Sequence, residues 1–200
     1  MEFELKGKVL KFEKNLSDLD KIVIDFVGLL NECKIKYVII SGYVAILFGR
    51  PRGTEDVDMF IEHMGQKESD KFFDKLNERG YSIINAGGKE EGLELLGEKI
   101  AIRVARKGEA VPNFEIKYPK KELDYTSLNH PLEVHVTGNK LLISQFEIEI
   151  PFKLWLGSDK DIEDAVHIYE LFKGKLDKKL MHEIATKLGV GKEMEKYGIE

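Results

Sequence analysis

Two hundred residues are enough to bury a sizeable core, and they fit one domain or one domain with a helical appendage. A net charge of −5 argues against a protein that coats nucleic acid through bulk electrostatics, while leaving room for a local basic groove. The single Cys33 excludes an internal disulfide and a cysteine-rich metal site, and no apolar run is long enough to cross a membrane. The opening MEFELKGKVL has neither a basic start leading into an apolar stretch nor a cleavage site, so the expected compartment is the cytoplasm. Glutamine is scarce (Gln66 and Gln145) while Lys and Glu abound, a bias compatible with a heat-adapted source.

In chain order, FELKGKVLKF (3–12) reads as short strands or a hairpin about Gly7. Ser17 can cap a helix in which Leu19, Ile22, Phe26 and Leu29/Leu30 recur at helical spacing. KYVII (36–40) is one buried strand, and SGYVAILFGR is a tight turn into a short buried helix ending at Gly49. EDVDMFIE is the next strand, and KESDKFFDKLNERG a helix stopped by Gly80. Strands are then expected at 81–84, 99–106, 113–118, 132–136 and 140–144. From Ser144 two readings stay open. QFEIEI alternates like a strand, yet Ser144 with Glu147 makes a capping box, so at Pro151 either a helix kinks or a strand ends. Two helices follow, one striped by Ile162, Val166, Tyr169 and Phe172, the other by Leu180, Met181, Ile184 and Leu188. GGKEEG (87–92) is too short and charged for a dinucleotide loop, and PKKELDY (119–125) reads as a solvated loop whose lysines offer a basic edge to RNA or a nucleotide. The histidines show no metal-ligand spacing. The expected fold is therefore mixed α/β (α+β), with a core over 1–143 and a C-terminal helical region over 144–200.

The chemistry concentrates in GRPRGTEDVDMFIE (49–62). On a strand, Asp56 and Asp58 share one face while Val57 and Met59 point into the core. Two carboxylates so held form a hard oxygen site suited to Mg²⁺ or Mn²⁺, which also takes phosphate oxygens. Gly42 opens a short helix whose free N–H groups could hold phosphate, with Arg50 and Arg52 to steady the remaining charge. The bland alternative is a solvated aspartate pair, an Arg52 that bridges one of them, and a Gly42 that serves only the turn.

The whole string YVIISGYVAILFGRPRGTEDVDMFIE resembles the nucleotidyltransferase superfamily, in particular its minimal and AbiEii-like members. Ser41-Gly42 matches the turn, and Arg52, Thr54, Asp56 and Asp58 match the R-x-T-x-D-x-D signature. KLWLGSDKDIEDAVHIYELF resembles the downstream helix of the same families, with Lys153 ahead of Lys160, Asp161 and Asp164. Glu115 falls where such proteins carry a third acidic residue. Two departures stand out: Ser41 replaces the first glycine of the turn, and Glu115 the more usual aspartate.

The resemblance implies a nucleoside triphosphate donor and divalent metal at Asp56, Asp58 and Glu115. It also implies nucleotide contacts from Ser41, Gly42, Arg52, Thr54, Lys153, Lys160 and Asp161, the other reading being that Lys160, Asp161 and Asp164 form an ion-pair network that pins the tail helix. The implied acceptor is RNA such as tRNA, a protein or a small molecule. A toxin paired with an antitoxin, or a homodimer, is compatible with it, and no membrane partner is implied. The alternative is a non-catalytic module of the same fold that binds nucleotide or a partner protein.

Overall fold

The computed structural model describes residues 2–200. Nine strands form one sheet in the order β1-β2-β8-β9-β3-β4-β7-β6-β5. They are β1 (Glu4–Lys6), β2 (Val9–Phe12), β3 (Tyr37–Ile39), β4 (Asp56–Ile61), β5 (Tyr81–Ile83), β6 (Ile102–Arg106), β7 (Asn113–Lys117), β8 (Leu132–Val136) and β9 (Asn139–Ile143). Pairs β2–β8, β3–β9 and β4–β7 are parallel and the other neighbours antiparallel, so the sheet is mixed, as expected from the sequence.

Strand alternation sorts the two faces. Tyr37, Ile39, Val57, Met59, Ile61, Phe114 and Ile116 join one large core with α1 (Asp18–Glu32), α2 (Gly42–Leu47) and α3 (Gln66–Glu78). The opposite face carries only a small cluster of Val38, Ile40, Phe60 and Leu128, the last on α5 (Glu122–Asn129). α5 and part of α6 cover that face beside Ile40 and Phe60, and it is also the face of Asp56 and Asp58.

Two buried polar contacts fix α2, on which the turn after β3 depends. Ser17 and Asp20 cap α1 reciprocally, and Tyr43 of α2 donates its hydroxyl to Asp20 at 2.8 Å. Burial pushes the Asp20 carboxyl up, but bonds from Ser17, Lys14 and Tyr43 outweigh it and hold the group below its ordinary range.

The ambiguity after Ser144 resolves as helix α6 (Phe146–Leu156), capped at Gln145 rather than Ser144 and carrying Pro151 inside it. Helices α7 (Asp159–Phe172) and α8 (Lys178–Leu188) follow as expected. Phe146, Leu154, Ile168, Phe172 and Met181 belong to the same core cluster as the sheet. Three helices were not expected: α4 (Lys89–Gly97), α5, and α9 (Gly191–Lys196). PKKELDY is thus no loop but the entry to α5, which buries Ser127 and Leu128. Glycines mask α4, and a Cβ at Gly92 would lie 2.8 Å from Ile83 Cδ1 on β5, so the tip of that side chain would have to shift. No helix among the described residues is long and apolar enough to cross a membrane.

Candidate active site

Asp56 and Asp58 open β4 on the thinly covered face, with Val57 and Met59 wholly buried behind them. Thr54 Oγ1 lies 2.9 Å from the Asp56 carbonyl oxygen and 3.2 Å from its Oδ1, so one hydroxyl holds both ends of that residue. The parallel register with β7 sets Asp58 opposite Glu115 and Asp56 opposite Asn113. Asp56, Asp58 and Glu115 therefore stand on one face, as the spacing implied for the first two and the resemblance for the third.

Each of the two inner carboxylates already has a cationic neighbour. Lys117 Nζ bonds Asp58 Oδ1 at 3.1 Å, and Arg103 of β6 grips Glu115 Oε1 through Nε at 2.8 Å and Nη2 at 2.6 Å. Burial raises the Asp58 carboxyl above its ordinary range; Lys117 opposes this, while Asp56 and Glu115 add to it.

A divalent ion fits part of this set. Asp56 and Asp58 offer paired hard oxygens. Glu115 does not complete a third corner, and among the described residues no group of three acidic, histidine or cysteine side chains stands close enough to hold a metal ion. The Arg103 end of the Glu115 pair is half exposed, so that pair is worth no more than about 1 kcal/mol and yields readily to a competing cation.

The turn behind the aspartates is unusual. Ser41 adopts φ 65°, ψ −133°, a backbone state that costs a non-glycine residue roughly 1–3 kcal/mol. Its N–H donates to Glu149 Oε2 at 3.1 Å, which ties the turn to α6. Glu149 is buried, and desolvation pushes its carboxyl up to about 7 despite Lys153, the Ser41 N–H and Ser144, with Asp58 adding to the rise. At Gly42 a side chain is impossible without displacement, because its Cβ would collide with the Arg52 guanidinium.

Arg52 reaches past Gly42 into a second cluster. Asp164 of α7, with no exposed surface, accepts from Arg52 Nη2 at 2.9 Å and from Lys153 Nζ at 2.9 Å, and Arg50 Nε stands 3.5 Å from its other oxygen. Asp161 lies 3.5 Å from Lys153 and is fixed by Ser158 at 2.5 Å. Arg50 also pairs with Glu163 at the rim. The network expected from Lys160, Asp161 and Asp164 exists, but with Lys153 as its lysine. Lys160 is exposed and makes none of the ion pairs found among the described residues. The reason is helical phase: Lys153 faces inward on α6, whereas Lys160 lies on the outer side of α7. Lys153, expected at the mouth of the site, is wholly buried.

Sequence reasoning missed Glu149. Its signal was present, a carboxylate inside the apolar run FEIEIPF, but strand and helix phases there assign it to opposite environments.

No protein-family model matches the sequence, and no curated protein matches it. Among solved structures, the chain is similar to an antigenic nucleotidyltransferase-like protein from Paracoccidioides brasiliensis, at 19% identity and TM-score 0.53, over 90% of this chain and 91% of that one. It is also similar to the antibiotic-resistance factor ANT(2'')-Ia, at 10% identity and TM-score 0.54, over 91% of this chain and 98% of that one. At these identities the likeness defines the fold, which is nucleotidyltransferase-like.

Proposed function

We propose that this chain is a metal-assisted nucleotidyltransferase that moves a nucleotidyl group from a nucleoside triphosphate to a hydroxyl or phosphate of an acceptor, releasing pyrophosphate. The observation that carries this reading is the pair Asp56 and Asp58, raised on the less covered sheet face beside the Ser41-Gly42 turn. A divalent ion at that pair would neutralise phosphate charge and activate the attacking oxygen. The chain's own part is positioning. Thr54 fixes Asp56, Lys117 balances Asp58 until phosphate is present, and Glu149 holds the Ser41 turn. Glu115 is placed to receive the acceptor's proton once Arg103 is displaced. Arg52 supports the turn from beneath, its charge shared with Asp164, rather than reaching outward to phosphate.

The AbiEii-like subtype, an archaeal-type origin, an RNA, protein or small-molecule acceptor, and a toxin role with a cognate antitoxin rest on the motif resemblance alone. The second reading, a non-catalytic module that binds nucleotide or a protein, is favoured by Lys117 and Arg103, which already neutralise two of the three carboxylates.

Calorimetric titration with ATP, GTP, CTP and UTP in Mg²⁺, followed by a screen for labelled nucleotide transfer to RNA, protein and small-molecule hydroxyls, separates these readings. Metal-dependent binding that is lost in Asp56→Ala/Asp58→Ala, together with transfer, supports the enzyme. Binding without transfer to RNA, protein or small-molecule hydroxyls favours the module. A wild type that binds no triphosphate overturns both nucleotide readings.

A further inference from the structure

An aromatic strip leads away from the aspartates. Lys117, bonded to Asp58, also lies over the Phe60 ring at 5.7 Å. Phe60 shares a cavity with Glu149 and Phe152. Phe152 stacks on Trp155 at 5.5 Å between centroids and 25° between planes, and Lys121 Nζ stands 5.1 Å from the Trp155 ring. Trp155 is 47% exposed, although a large aromatic side chain ordinarily contributes most when buried.

The charges around this shelf are also distinctive. Lys120 and Lys121 sit at the N-terminal end of α5, where the helix dipole disfavours cations. Asp124 accepts from their backbone N–H groups at 2.9 and 3.0 Å, so its charge caps the helix. Among the described residues Lys121 has no carboxylate partner, and its ammonium rests on the indole face. A flat π-surface whose covering ammonium has no carboxylate partner is the chemistry that takes a base and the negative charge attached to it.

We propose that Phe152, Trp155 and Lys121 form the seat for the nucleobase of the donor nucleoside triphosphate, whose phosphates lie at Asp56 and Asp58. This rests on the nucleotide-binding reading above and adds the place of the base. Phe152 backs the indole, the base takes the place of the Lys121 ammonium on the ring, and Lys121 turns to the charge on the sugar–phosphate side.

Trp155 is the only tryptophan in the chain, so its fluorescence reports on this seat alone. The full-length protein is titrated in Mg²⁺ with ATP and, separately, with inorganic tripolyphosphate, which has no base; heats are recorded alongside fluorescence. ATP is expected to quench Trp155 and tripolyphosphate to leave it unchanged. Trp155→Ala is expected to weaken ATP binding roughly tenfold, as loss of one stacked base does, with tripolyphosphate unaffected. Trp155→Phe should restore most of the ATP affinity. If both ligands bind the wild type but Trp155→Ala binds ATP as before, the seat is overturned while nucleotide binding stands. If neither ligand binds the wild type, the nucleotide reading falls and the seat with it.

Discussion

Two groups of carboxylates, far apart in the sequence and on different elements, meet opposite fates. Asp164 is sealed between α6, α7 and the Arg50–Arg52 loop, and shares its charge with one lysine and two arginines. Asp56 and Asp58 stand on the less covered sheet face, where Thr54 bonds Asp56 and Lys117 pairs with Asp58. A buried charge is tolerated when opposite charges surround it, even though Asp164 Oδ1 itself makes no hydrogen bond, and removing the shared anion is then expensive. A carboxylate pair at an open edge contributes little to stability and keeps oxygens free for a ligand. The buried cluster therefore reads as structure and the open pair as chemistry, with Arg52 and Lys153 on the structural side of that line.

The largest effect is expected at the buried cluster. Asp164→Ala leaves the wholly buried Lys153 and the Arg52 head without their shared anion, and is expected to cost about 3–5 kcal/mol in urea unfolding. A loss below about 1 kcal/mol would mean that water reaches the cluster and that it is not the strut described.

Glu149 lies between the two regions and gives the next effect. Its folded pKa of about 7 lies above the ordinary 4.5, so the folded protein holds this proton more tightly than the unfolded chain. The stabilisation is complete below pH 4.5 and is lost as pH rises through 7, by roughly 3 kcal/mol at most. Unfolding of wild type and Glu149→Gln across that interval should show the glutamine variant gaining relative stability as pH rises. Parallel curves would place the Glu149 carboxyl in contact with water.

A smaller change sharpens the link between turn and site. Ser41→Gly removes the positive-φ penalty and should stabilise the protein by about 1 kcal/mol, raising the melting temperature by roughly 2–4 °C. An unchanged or lower melting temperature would show that the serine side chain compensates for its backbone.

Much of the open region was legible in the sequence. Alternation alone puts Asp56 and Asp58 on one face, whereas the crowding at Gly42 comes from the Arg52 guanidinium laid across it. The partners of those residues were less legible. Glu115 faces Asp58 only because β7 joins β4 in a parallel register, a pairing between segments far apart in sequence, and the lysine and arginine beside them follow from the same register. The buried region was read with the wrong lysine, since Pro151 and the alternating FEIEI disguised α6 and with it the inward phase of Lys153. Helices α4 and α5 escaped because their apolar stripes are short, and one is interrupted by glycine.

The most direct test of the division is thermal melting of Asp56→Asn/Asp58→Asn, with and without Mg²⁺–ATP. The double variant should melt within a few degrees of wild type when no ligand is added. At a hundredfold excess over Kd, ligand should add about 2.7 kcal/mol to the wild type and nothing to the variant. A double variant as unstable as Asp164→Ala, or one still stabilised by Mg²⁺–ATP to the wild-type extent, would contradict the account.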